Sequence, residues 1–232
     1  MASAIHLTLA PDLAVHLKRN SRARRLSLRV SSVDGRVTLT VPPGVTERAA
    51  RAFANEKAGW IRDTVARCHA PVPVKIGAEV PIADHPCCIV AGKGRAARLF
   101  EARIEAPQDR AGPATRALIK HLARARLAAA TERFATALDK IPGRLTLRDT
   151  RSRWGSCTSE GNLMFSWRLV MAPVEVLDYV AAHEVAHLQH MDHSRRFWDA
   201  VERLYPGFEA PRDWLRSNGA SLHRYRFETE DG

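Results

Sequence analysis

Residues 174–189, VEVLDYVAAHEVAHLQ, constrain this chain more than any other stretch. Val174, Val176, Leu177, Val180, Ala181, Ala182, Val185, Ala186 and Leu188 make the segment nearly all apolar. A helix of that composition is buried on most sides. It nevertheless carries His183, Glu184 and His187, and burying such groups is costly without partners. The fold must supply something that compensates for that cost.

Spacing says what the compensation can be. His183 and His187 are four apart, so they share one helical face with Cβ atoms roughly 5–6 Å apart. Two imidazoles so placed can converge on one zinc ion. Glu184 lies about 100° round the helix. Its carboxylate suits a general base rather than a third ligand, which is the HExxH arrangement. A catalytic zinc takes a third protein ligand and keeps one position open. His190 and His193 compete for that role. His190 lies about 10 Å further along a straight helix, at 1.5 Å per residue, and cannot reach. His193 can, if the helix ends near residue 190 and the chain turns back at Met191-Asp192, where aspartate tolerates left-handed backbone. The expected metal ligands are therefore His183, His187 and His193, with His190 at the rim.

The rest of the chain sets bounds. Its 232 residues, 45% hydrophobic, suffice for one large domain or two small ones. Net charge is +11 and the isoelectric point about 10.2, which favours anionic partners. Residues 1–70 hold 12 Lys/Arg against 5 Asp/Glu. The N-terminus lacks the basic start and unbroken apolar run of a signal peptide, and no segment approaches the roughly 18 apolar residues of a membrane span. Cys68, Cys87, Cys88 and Cys157 form no CxxC pair, so a reducing cytoplasm is expected and no membrane association.

Leu26, Leu28 and Val30 alternate with Arg25, Ser27 and Arg29; Asp34-Gly35 reads as a turn, and Val37, Leu39 and Val41 as the return strand. Thr46 is placed to cap one helix running to about Arg67. Residues 71–112 read as short strands and loops extending that first sheet, and Gly112-Pro113 as a boundary. A long helix over 114–139, strands on either side of Glu160-Gly161-Asn162, and a helix starting at Pro173 follow. The expected class is α+β: a β-rich N-terminal region with one helix (1–112), then a domain over 113–232 that contains the HExxH helix.

RWGSC at 153–157, Gly161-Asn162, WRL at 167–169, AP at 172–173 and HEVAHLQHMDHSRRFW at 183–198 resemble the YgjP-like metallopeptidase family. RRLSLRV at 24–30, the Asp34-Gly35 turn, VP at 41–42 and Trp60-Ile61 extend the resemblance over nearly the whole chain. That family is similar to SprT-like proteases and, more distantly, to other zincins. The resemblance implies a zincin-like fold with His183, His187 and His193 on zinc and Glu184 as base. His190 stands where HExxHxxGxxH zincins have glycine, which leaves Glu202 as the alternative third ligand. Arg153 and Trp154 are candidate substrate-binding residues, on a strand that could pair with an extended peptide. Cys157 reads as a small buried residue, and Glu175 and Asp178 as exposed helix charge or supports for the ligands.

The expected activity is that of a zinc-dependent hydrolase, a metallopeptidase acting on protein or peptide. Two alternatives share the centre. One is hydrolysis of a nucleoside triphosphate at the same metal. The other is a protease module docked on nucleotide or nucleic acid by the N-terminal arginines Arg22, Arg24, Arg25 and Arg29.

Overall fold

The computed structural model describes residues 5–10, 13–31, 35–66 and 70–228. The chain forms two compact units, Met1–Pro71 and Val72–Gly232.

In the first unit, β1 (Ile5–Ala10), β2 (Leu13–Arg19), β3 (Ser27–Val30) and β4 (Val37–Val41) make one sheet in the order β1-β2-β4-β3. Strand alternation puts Leu13, Val15 and Leu17 of β2 and Val37, Leu39 and Val41 of β4 on one face. There they pack against Ala50 and Ala54 of α1 (Glu47–Glu56) and Ile61 of α2 (Ala58–Ala66). β3 pairs antiparallel with β4, the return strand expected from the alternation, in the register Leu28↔Leu39 and Val30↔Val37. Asp34 of the expected turn and Arg67 at the expected helix end lie outside the described residues. Thr46 caps α1, its Oγ1 accepting from the Ala49 N–H at 3.2 Å. The single helix expected here is two. It is interrupted at Lys57, whose N–H bonds to both Phe53 and Asn55 carbonyls, and it resumes as Ile61 N–H bonds back to Lys57. Asn55 and Gly59, both poor helix formers, flank the break.

The second unit begins with β5 (Val72–Pro73), β6 (Glu79–Ile82), β7 (His85–Ala91), β8 (Arg98–Phe100) and β9 (Arg103–Ala106). The last four form a sheet of their own, in the order β6-β7-β9-β8, and do not extend the first sheet. The long helix α3 (Ala111–Ala137) follows, then β10 (Leu145–Arg148), β11 (Gly155–Cys157) and β12 (Leu163–Ser166). A 3-10 segment (Trp167–Met171) leads to α4 (Val174–Ala186), α5 (Arg195–Leu204), α6 (Glu209–Asn218) and β13 (Tyr225–Arg226), which pairs with β5. The architecture is mixed α+β.

The boundary expected at 112/113 falls inside this unit, at the start of α3. Val80, Ile82, Ile89 and Ile104 of the second sheet share one core with Ile119 and Leu127 of α3 and with the apolar side of α4. Gly112 is there because backbones meet: a Cβ on it would lie 2.7 Å from the Phe227 carbonyl oxygen and 2.8 Å from that of Val74. The Gly-Pro pair marks close packing, not a linker.

Candidate metal centre

Helix α4 is buried from Val176 to Ala186 except for Asp178 and His183, which are half-buried. It packs against α3 on one side and against β11, the edge strand of the sheet β10-β12-β11, on another. The helix ends at His187, and a tight turn follows, with the N–H groups of Gln189 and His190 both bonding to the Ala186 carbonyl. The chain then reverses and brings His193 back. No left-handed residue makes this turn, since Asp192 is not among the positive-φ positions of the described residues. Asp192 instead accepts from the Ser194 N–H at 3.3 Å, at the start of α5, and Ser194 makes no side-chain cap.

The reversal places His193 Nε2 3.3 Å from His183 Nε2. Donor atoms of His183, His187 and His193 all lie within 4.8 Å of one another, the one group of the described residues that could hold a metal ion. Two nitrogens each about 2.0–2.1 Å from a tetrahedral ion are about 3.3–3.4 Å apart, so the cluster fits such an ion. The protonation states fit too. Burial, reinforced by the neighbouring imidazoles, pushes His183 down to about 3. Burial also lowers His187, against a hydrogen bond that raises it. Both rings are neutral at pH 7, the form that ligates. His187 Nδ1 lies 3.0 Å from the His190 carbonyl oxygen, a contact that puts the proton on Nδ1 and leaves Nε2 free. His190 thus serves through its backbone. The His183 ring is held by aromatic neighbours, with Phe197 at 4.9 Å and Trp198 at 5.7 Å between centroids.

Glu184 is buried, with its side of the helix turned to β11. Burial pushes its carboxyl up to about 8, with Arg153 pulling the other way. Gly155, Ser156, Cys157, Arg153, Glu184 and the three histidines line one open cleft of about 460 Å³. Burial, with the nearby Glu184 charge, pushes the Cys157 thiol up to about 11, so it stays protonated in the cleft wall.

Other expected residues lie elsewhere. Trp154 lies tilted against His223, with 5.2 Å between ring centroids, and beside Gly219, and it is not among the residues that line the cleft. Glu202 accepts from the Gly207 N–H at 3.4 Å and is absent from the histidine group. Asp178 pairs with Arg133 of α3 at 2.7 Å, and so joins two helices rather than supporting a ligand.

Two residues of consequence, Gly155 of RWGSC and Arg168 of WRL, carry roles that their motifs do not disclose. Gly155 is the point where β11 presses on Glu184, and an isolated glycine within a strand pattern is the usual sign of such an approach. Arg168 is buried beside the loop that precedes β11. Its Nε and Nη2 donate to Asp149 at 2.7 and 3.0 Å, and its Nη1 donates to the carbonyls of Leu222 and Tyr225 at 2.8 and 3.3 Å. Its guanidinium lies 4.4 Å from the Trp167 ring centroid. The WRL motif at 167–169 contains this arginine, but nothing local says that it is buried or what it touches.

A family model described as YgjP-like, metallopeptidase domain, matches residues 24–218. The chain belongs to the YgjP-like metallopeptidase family. The match spans both units and contains the histidine cluster, Glu184 and β11. No curated protein sequence matches the chain. Among solved structures it is similar to the crystal structure of the metallopeptidase zymogen of Pyrococcus abyssi abylysin, at 21% identity over 41% of this chain and 93% of that one, with a TM-score of 0.35. As a YgjP-like protein the chain is a metallopeptidase, hence a metal-dependent hydrolase. No helix of the described residues is long and apolar enough to cross a membrane.

Proposed function

We propose that this YgjP-like protein is a zinc peptidase in which His183, His187 and His193 hold the ion and Glu184 is the general base. The observation that carries the reading is the convergence of His183 and His193 nitrogens to 3.3 Å in the cleft that Glu184 lines. Zinc in such a site supplies Lewis acidity, which acidifies water and polarises a carbonyl. The chain's own residues do the rest. Glu184 accepts a proton from the attacking water and passes it to the amine as the carbon–nitrogen bond breaks. Its raised basicity suits that two-way transfer. β11 is a sheet edge, and Gly155, Ser156 and Cys157 line the cleft, so an extended peptide there would pair with its backbone. Arg153, exposed at the rim, would then meet the peptide. Trp154 would act at one remove, by bracing the strand from behind.

Amide substrates suit this cleft better than nucleoside triphosphates. Arg153 is the single Lys or Arg among its lining residues, too little charge to hold three phosphates. The test sets a quenched peptide library and a panel of nucleoside triphosphates side by side, with zinc-loaded, chelated and Glu184→Gln protein. Peptide cleavage that needs both the metal and Glu184 supports the reading. Phosphate release with the same two requirements, and no cleavage, sinks it.

A further inference from the structure

The first unit has a second face that the peptidase reading leaves unused. Its helices cover one side of the sheet, over Val15, Leu17 and Leu39. They leave the other side of the sheet uncovered. The register sets Lys18 beside Thr40 and Thr40 beside Ser27 in one row across the strands. In the next row His16, Thr38 and Arg29 stand side by side. Lys18, Ser27 and Arg29 are exposed. The loop that joins β2 to β3 adds exposed Arg22, Arg24 and Arg25 at the end where Lys18 and Ser27 lie.

Charge is segregated about this sheet. Between residues 13 and 46 the sequence has seven Lys/Arg and one acid, Asp34, which lies outside the described residues. The described carboxylates of the unit, Glu47, Glu56 and Asp63, all sit on α1 and α2, the helices that cover the opposite face. A solvated face of no function would carry both signs. Here one cation, Lys18 or Arg29, stands in each row beside a hydroxyl of Thr40 or Thr38, and both are groups that contact phosphate oxygens.

We propose that this open face binds single-stranded nucleic acid through its phosphates. A flexible strand can follow the rows of a sheet, whereas a rigid duplex touches such a face only along a line. The described residues of the face include no Phe, Tyr or Trp on which bases could stack, so binding is insensitive to sequence. The histidine cluster takes no part.

Binding of the full chain to labelled oligo-dT and oligo-U, followed by anisotropy over a salt series, tests this. Five contacts, from Lys18, Arg29 and the three loop arginines, give a slope of log affinity against log salt of about −3.5, at about −0.7 per phosphate of a single strand. Lys18→Gln with Arg29→Gln should make the slope shallower by about 1.4 on the same rule. The control is Lys93→Gln with Lys120→Gln, which removes the same charge from exposed positions of the second unit and should leave the slope unchanged. Unfolding midpoints and peptide cleavage should be the same in all three proteins. Four outcomes would each overturn the proposal: equal slope changes in both double variants, no change in the first, tighter binding to a duplex, or equally good competition by polyglutamate or phosphatidylserine vesicles.

Discussion

Gly155 lies against Glu184 so closely that a Cβ built on it would sit 2.5 Å from Glu184 Cγ and 2.7 Å from its Cδ, inside any real carbon–carbon contact. The glycine hydrogen is therefore what lets the glutamate occupy its place between helix and strand. Both partners are fixed, since α4 is part of the core and β11 is paired with β12 through Gly155↔Phe165. An alanine must push the carboxylate aside.

The first prediction follows directly. Gly155→Ala should retain one bound metal per chain, because the ligands come from α4 and the turn after it. Turnover should fall by about 10² or more, in the range that a misplaced general base forfeits. Metal analysis and kcat on one peptide check this. Full turnover in Gly155→Ala would mean that the place of Glu184 does not matter to the chemistry.

Glu184→Gln is the second. The amide is the same size as the carboxylate and cannot take a proton, so folding and metal content should persist while kcat falls by about 10²–10⁴. Since burial disfavours the ionised form of Glu184, an amide that never ionises should also leave the unfolding midpoint unchanged or raise it. Near-normal turnover would remove Glu184 from the mechanism.

The third concerns the ligands. Alanine at His183, His187 or His193 should each abolish tight metal binding, whereas His190→Ala should keep it, because His190 offers His187 only its backbone carbonyl. Titration with a chromogenic zinc chelator separates these cases. Loss of metal in His190→Ala with retention in His193→Ala would reverse the ligand assignment.

Much of this was legible in the sequence because it rests on local periodicity. The i, i+4 histidines and the apolar run marked the helix and its face, and the alternation of Leu28 and Val30, then of Val37 and Leu39, marked two neighbouring strands, though not their register. What could not be read depends on contacts distant in sequence. The strands of residues 79–106 look much like those of the first sheet, and only packing against Ile119 and Leu127 assigns them to the second core. The His193 turn was expected from a left-handed aspartate, but the tight end of α4 and the Asp192–Ser194 bond make it instead. Arg168 pairs with a residue 19 positions away and with carbonyls 54 and 57 positions away, a relation with no local signature.

That arginine leads to the last prediction, on acid stability. His223 is buried between Trp154 and Asp149, with its Nδ1 4.0 Å from Asp149 Oδ1. Burial, with the Arg168 charge, pushes it down to about 4, against the pull of Asp149. Over roughly pH 4–6.5 the unfolded chain therefore binds a proton at this position that the folded chain does not. Stability should fall as pH drops through this window, by on the order of 3 kcal/mol when complete. Asp149 acts in the same direction but lower. Its burial raises the carboxyl, the Arg168 hydrogen bonds and charge outweigh that, and the net lowering contributes stability that is lost below its ordinary value of 3.8. His223→Phe keeps a ring against Trp154 and removes the titration. Comparing urea midpoints of the variant and the parent at pH 7.5 and pH 5 isolates this residue from the cleft histidines, whose burial works with the same sign. The parent should lose more stability than the variant between the two values. An equal loss in both would show that His223 is not a source of the acid sensitivity, and that the Arg168 bonds to the Leu222 and Tyr225 carbonyls hold the C-terminal segment whatever the charge of their neighbour.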